Sequence, residues 1–483
     1  MKNFLRYSII VAAMLPQLKM SAQNEADALR YSFYDLPVSA RSLGMGGAFG
    51  GVGADISNFY SNPGGLGMYK RGSMELSFGL HDNATETSYM NQNADNARSR
   101  FNLNGIGLVG SAKSQDSDWK AINFGIAYSK TNNFYENISI RGKAFSSILQ
   151  PFSLQADGTL PDAVTDNFPY TAGLAYQTYA INPTDSTGQF YAPAADGLAD
   201  QAKNVNRTGS QGETAFGFGA NYKDFLSFGF SINFLGLTFT ERSTYTELYS
   251  ADEQLTSLTL NENLRTDGTG VNARFGAIVR PSKWLRAGVA YHTPMRITLH
   301  DLYSATMKTK VDGTSYEYSS PDLVTDYSVR SPSRLMANAA FILGKFGIVS
   351  ADYEYTNFDR IRMNGSATNS YDYSSENNTI KSIYRSTHKV RAGFELRVHN
   401  SVYLRGGAVY QQNPLSTESG EDAPALITYT GGVGYRNDYF FADLGISFTE
   451  RSSSYYLYDP RFVEAADISQ RYTRGILSIG TKF

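Results

Sequence analysis

Cysteine is absent from this 483-residue chain, so disulfides and thiolate metal sites are excluded at the outset. A surplus of charge is also lacking: 43 Lys and Arg stand against 45 Asp and Glu, and a net charge of -2 speaks against a nucleic-acid-binding surface. Histidines number 5, at positions 81, 292, 300, 388 and 399. Beyond the N-terminus no run approaches the roughly 18 apolar residues of a membrane-spanning helix. What the chain does have is 34 Tyr, 29 Phe and 44 Gly, a composition suited to many strands and tyrosine-rich loops.

Residues 1–22 read as a secretory signal peptide. Lys2 and Arg6 supply its basic start, Ile9 to Leu15 an apolar centre too short to span a bilayer, and Ser21-Ala22-Gln23 a small-residue cleavage site. The mature chain is expected to be exported.

From about Arg71 the residues alternate with period two, the pattern of strands. Phe440, Ala442, Leu444, Ile446 and Phe448 oppose Asp443, Ser447 and Thr449, and Val390, Ala392, Phe394 and Leu396 oppose Lys389, Arg391, Glu395 and Arg397. Strands are expected near 72–80, 100–111, 119–130, 213–222, 226–240, 269–280 and 284–299. Seven more fall near 332–343, 346–357, 386–397, 401–411, 425–436, 439–450 and 470–483, making fourteen. Within 100–111, FNLNGIGLVG alternates least well. Short connections such as Lys223-Asp224, Gly344-Lys345 and Asn437-Asp438 alternate with long polar ones, the longest about 131–212. That segregation predicts an all-β transmembrane antiparallel barrel over residues 71–483, with the short turns periplasmic. The final strand, apolar on one face and ending on Phe483, resembles the C-terminal signal of outer-membrane barrels, which implies the barrel assembly machinery and outer-membrane lipid as partners.

A charged side chain facing lipid at the bilayer midplane costs roughly 2–4 kcal/mol, so faces bearing Arg or Lys are assigned to the lumen. Arg274, Arg286, Arg296, Lys389, Arg391 and Arg405 are the lumen charge candidates, against Asp352, Glu354, Glu395 and Asp443, and the expected excess is basic.

Ahead of the first strand, residues 23–70 show no strand pattern. Arg41 to Gly67 reads RSLGMGGAFGGVGADISNFYSNPGGLG. Its glycine spacing fits no phosphate-cradling loop, and no strand precedes it to open a βαβ unit. The run Arg41 to Ala48, Asp55, and Asn62-Pro63 with Leu66 resemble the N-terminal hatch of the FadL family of outer-membrane transport proteins, although Gly64 stands where members commonly have Ala. The resemblance implies a fourteen-strand barrel whose lumen holds a hatch, here with Gly44, Gly46, Gly47, Asp55, Asn62, Pro63 and Gly64 as its marked residues. It further implies passive uptake of hydrophobic compounds such as long-chain fatty acids, with a sideways exit at a kink in the third strand. Asn123 and Gly125 lie there, without a proline. Some members of the wider superfamily act instead as partners or shuttles in protein secretion, which makes secretion components the alternative partners.

Other chemistry finds little support. His292 and His300, placed on one luminal face, would stand roughly 26 Å apart, too far to share a metal ion. Ser386 and His388 lack a nucleophile motif, so an enzyme, a metal site and a cofactor are not expected. Within the long loop, Phe168, Tyr170, Leu174, Tyr176 and Tyr179 form an unusually apolar stretch that either captures a hydrophobic small-molecule substrate or packs the loop on the rim.

Overall fold

The computed structural model describes residues 25–34, 39–113, 117–416 and 424–483; the expected signal peptide lies outside them. Fourteen antiparallel wall strands follow in chain order. They are β1 (Ser73–Tyr89), β2 (Gln92–Lys113), β3 (Trp119–Asn133), β4 (Ala199–Tyr222), β5 (Leu226–Leu248), β6 (Leu255–Val279) and β7 (Leu285–His292). The other half of the ring is β8 (Arg334–Ile342), β9 (Gly347–Asn357), β10 (Ser386–Arg397), β11 (Val402–Gln411), β12 (Leu426–Arg436), β13 (Phe440–Tyr455) and β14 (Ala466–Lys482). Each pairs with its sequence neighbour, and β1 pairs with β14 from Ser73↔Lys482 to Ser88↔Asp467, which closes the ring. Closure pairs each strand on both sides, so most of the backbone is satisfied without water, as a bilayer core demands.

Alternation sorts the two faces. Phe228, Phe230, Ile232 and Phe234 of β5 face outward, while Ser227, Ser231 and Asn233 are buried inward. The outward apolar residues form a belt bordered at the short-turn end by exposed Trp119, Trp284, Tyr439 and Phe483. Those turns are tight: Lys223 and Asp224 take φ of 53° and 54°, the left-handed pair that matches strand twist.

At the opposite end the strands run far beyond the belt. β5 has 23 residues, whereas a crossing needs about 9–11. The expected loop at 131–212 is therefore largely structured. Glu136–Ala144 continues the line of β3, β4 begins at Ala199, and short helices over Leu149–Ala156, Pro161–Asn167 and Ala172–Gln177 lie between them. The poor alternation of β2 has a local cause. Ser77 pairs with Gly105 but Phe78 with Leu103, so Asn104 is an extra residue that flips the phase.

β7 is interrupted as well. It stops at His292 and resumes as Arg296–Val311, with Thr293, Pro294 and Met295 outside any strand. The break shifts the alternation by one: His292 is buried inward, but Ile297 and Leu299 take the inward positions above it. Arg296 and His300 consequently face outward, which corrects the luminal placement expected for both.

Candidate functional site in the lumen

The segment ahead of β1 lies inside the ring. It comprises helices α1 (Glu25–Ser32) and α2 (Ala40–Gly44), then single 3-10 turns over Ile56–Phe59 and Pro63–Met68. Ser39 caps α2, its hydroxyl oxygen accepting from Ser42 N at 3.0 Å. The Asp55 carboxylate caps the first turn, accepting from Ser57 N at 3.0 Å and from the Ser39 hydroxyl at 2.8 Å. Asn62 caps the second, its Oδ1 accepting from Gly64 N at 2.9 Å, with Pro63 at the first position where no N–H is missed. Gly46 and Gly47 follow α2 with φ of 64° and 72°, the left-handed region that turns the chain back.

Wall side chains take up the segment's backbone. The Asp352 carboxylate on β9 accepts from Phe49 N at 3.0 Å and Gly50 N at 2.9 Å. Asn338 on β8 accepts from Asn62 Nδ2 at 2.9 Å, and Asn123 on β3 donates to Leu66 O at 2.7 Å. Ser478 on β14 accepts from Ala40 N at 2.9 Å, and Arg286 on β7 donates to Val52 O. Where the segment touches the wall most closely, the wall has no side chain: a Cβ on Gly393 or Gly407 would strike the Met45 backbone, and one on Gly229 the Pro63 carbonyl.

Most luminal arginines are paired with acids. Arg274 is fully buried between the rings of Tyr34 and Tyr60, at 5.4 and 5.5 Å, and bonds Glu213 at 2.5 Å. Arg391 and Arg334 share Glu354 at 2.5 and 3.1 Å. Arg41, Glu395, Arg405, Asp443 and Arg436 form an alternating chain, with Arg41–Glu395 at 2.6 Å, Arg405–Glu395 at 2.7 Å and Arg405–Asp443 at 2.8 Å. The expected basic excess is thus largely answered by acids, among them Glu213, an acid additional to the four expected. Burying such charges is tolerable only with partners of this kind, and removing one member of a pair costs about 3–5 kcal/mol. Arg274, Arg391 and Arg405 are structural ties, and Lys389 lies on the same inward face as Arg391, half-buried.

His292 is another tie. Its Nε2 lies 2.7 Å from the Ser61 carbonyl, an acceptor only, so Nε2 carries the proton and Nδ1 accepts from Tyr34 OH at 2.8 Å. Ser386 and His388 bond Tyr355 at 3.1 Å and Tyr353 at 2.7 Å rather than each other. Among the described residues no group of three or more His, Asp or Glu could hold a metal ion.

One stretch of wall is not laddered. Between β2 and β3 the pairing runs from Lys113↔Ala121 only as far as Gly105↔Ser129. Among the described residues, 92–104 of β2 meet the continuation of β3 through side chains: Arg98 to Asn137 and Asn96 to Ser139, both 2.9 Å. The gap opens level with Leu103 and Phe101, still within the apolar belt. β3 is regular at Asn123 and Gly125, and its irregularities fall at the two ends of the expected stretch, at Trp119–Ala121 and Lys130–Asn132. Immediately below the gap Phe59 packs where Gly125 and Gly217 lack side chains, and Tyr60 OH lies 2.9 Å from the carbonyls of both Ala127 and Glu213. Ile56, Phe59, Tyr60 and Leu66 thereby present the segment's apolar side to this part of the wall.

A cavity bounded by Tyr31, Tyr34, His292 and Arg334 has about 10 Å³, room for one water at most. Above the belt Leu174 is buried in a cluster formed by the long connection and the strand extensions, and Phe168, Tyr170 and Tyr176 pack against it. Tyr179 is 51% exposed, its ring 4.7 Å from that of Tyr316. Phe145, Leu154, Leu160 and Phe190 are exposed in the same connection, scattered singly through polar sequence without a periodic signal.

A closed fourteen-strand ring with an apolar belt, an occupied lumen and extended strands at one end defines a transmembrane β-barrel. No protein-family model matches the sequence, and no curated protein matches it. Its architecture is that of solved FadL-type barrels. The toluene transporter TodX of Pseudomonas putida aligns at a TM-score of 0.54 with 14% identity, covering 93% of this chain and 99% of that one. A FadL homologue from Pseudomonas aeruginosa aligns at 0.54 with 14% identity and the same coverages. At that identity the likeness is one of fold.

Proposed function

We propose that this protein is an outer-membrane channel through which hydrophobic compounds enter by passive diffusion. Residues 23–70 act as its hatch, and the exit is lateral, through the wall between β2 and β3. The observation that carries the reading is the unladdered stretch above Gly105 and Ser129, which begins within the apolar belt beside the aromatic side of the segment. A solute leaving there passes into lipid without crossing the ionic ties below. The exposed apolar residues of the long connection, together with Tyr179, supply first contact from outside. The neighbours in fold support the substrate class: TodX carries toluene. Among hydrophobic compounds, long-chain fatty acids are one candidate. With Arg274, Arg391 and Arg405 committed to acids, selection falls to apolar surface rather than to a buried cation.

Uptake of radiolabelled toluene and of fatty acids of several chain lengths, by cells with and without the protein, tests the proposal. Faster entry of at least one compound is expected; equal rates for all of them would sink it.

A further inference from the structure

The outward face just above the apolar belt carries one cross-strand row of unusual composition. Phe234 pairs with Val271, Val271 with Arg296, Arg296 with Arg330, and Arg330 with Arg362. Phe234 and Val271 are 50% and 47% exposed, so at one level the wall changes from greasy to basic. The three arginines share the outer face because Ile297, Val329 and Met363, one residue along, are all buried inward. Neighbouring strands lie about 4.8 Å apart, so three guanidiniums stem from a strip roughly 10 Å wide. Like charges directly opposite on a sheet repel.

No protein acid answers them. Among the described residues Arg296 and Arg330 have no ion-pair or side-chain hydrogen-bond partner, and Arg362 donates to the carbonyls of Asp359 and Ile361. Acids on the neighbouring strands have other partners, Asp326 with His300 at 2.7 Å and Asp267 with Arg265 at 2.8 Å, while Asp359 lies 3.7 Å from Arg360. Asp326 also lies four residues along the strand from Arg330, about 13 Å. Most luminal arginines, by contrast, are closely paired with acids. The wall thus pairs most of its inner cations with acids and leaves an outer row without an acid partner at the upper border of the apolar belt.

We propose that Arg296, Arg330 and Arg362 form a docking strip for the phosphate groups of a phosphorylated lipid in the outer leaflet. Planar guanidiniums suit phosphate oxygens bidentately, and the adjoining Val271 and Phe234 meet the acyl chains of the same molecule. The phosphate relieves the repulsion within the row, and the bound lipid covers the wall where β7 is interrupted. This rests on the membrane-spanning reading and is independent of the compound transported.

Native mass spectrometry of the detergent-purified full chain, mixed with purified bis-phosphorylated lipid A, its dephosphorylated form, or inorganic phosphate, tests the strip. Bis-phosphorylated lipid A is expected to be retained in preference to the dephosphorylated form. Replacing Arg296 and Arg330 together by Gln should lower retention about fivefold, the loss of two partly exposed charge contacts. Arg265→Gln, which removes an arginine already paired, should match the wild type. Equal retention by the wild type and the double variant, or equal binding of the dephosphorylated lipid, overturns the proposal. Displacement of the lipid by inorganic phosphate does too, since the ligand would then be a free anion. If the double variant fails to migrate as a heat-modifiable barrel, the wild type is titrated with sodium chloride: retention should fall with salt, and salt independence overturns the strip. Toluene uptake, measured separately, reports on the channel reading.

Discussion

Arg41 of the luminal segment and Glu395 of the wall form a two-pronged ion pair, with Nε at 2.8 Å and Nη2 at 2.6 Å from the two carboxylate oxygens. Glu395 also receives Arg405 Nε at 2.7 Å, so it stays partnered when Arg41 is removed. Arg41→Ala is therefore expected to cost about 1–2 kcal/mol, less than a fully orphaned buried charge. Amide hydrogen exchange should quicken across 39–70 while the wall strands keep their protection. Unchanged exchange in the segment would show that this tie does not hold it.

Asn62 tests gating more directly. It caps the turn at Pro63 and bonds Asn338 across to the wall. Replacing Asn62 and Pro63 with Ala should leave heat-modifiable migration intact, because neither residue joins the strand ladder. Uptake of a hydrophobic compound should change and leak of small polar solutes should rise. A variant that transports like the wild type would make these residues turn formers only.

The absence of cysteine allows a clean lock. Asn96 and Ser139, bonded across the unladdered stretch at 2.9 Å, can both be replaced by Cys and joined with a short bifunctional thiol reagent. Toluene entry should fall severalfold on cross-linking, and each single-cysteine variant should be unaffected by the reagent. Full activity in the cross-linked protein would place the exit elsewhere.

A pH dependence follows from Asp301. It lies on the extension of β7 beyond the belt, almost fully buried, and burial together with Asp27 of α1 raises its carboxyl to about 7. The ordinary value is near 4, so the folded state binds this proton more tightly than the unfolded one. The resulting stabilisation is complete below about pH 4 and is lost as pH rises through about 7. Protection at 25–34, taken relative to the intrinsic exchange rate at each pH, should therefore fall between pH 5 and pH 8, and Asp301→Asn should flatten that fall. Protection in the wild type that does not change with pH would refute it.

Sequence alternation was enough to count the wall, because one residue in two must meet lipid through every crossing. It faltered where a single residue changes phase. Asn104 blurs β2, and the Thr293–Met295 break sends Arg296 and His300 outward, a turn for which Pro294 was the available sign. The extensions above the belt, such as Glu136–Ala144, are less legible because their alternation is short: Ile138, Ile140 and Ala144 face inward against Ser139, Arg141 and Lys143 over only 9 residues within a long polar connection. Asp55 and Asn62 were legible as marked residues, but the distant partners Asp352, Asn338 and Glu213 become neighbours only when the ring closes.

The glycines at 229, 393 and 407 carry a constraint on the order of events. They leave the inner surface shaped to the segment's backbone, with no slack through which a capped, folded strand of chain could be drawn later. The seam that completes the ring joins Ser73, directly after that segment, to Lys482. The contents must accordingly be laid in place before the last staves meet, as a cooper fills a cask that has no bung. In a time-resolved assembly assay, protease protection of 39–70 should arrive no later than heat resistance of the closed barrel.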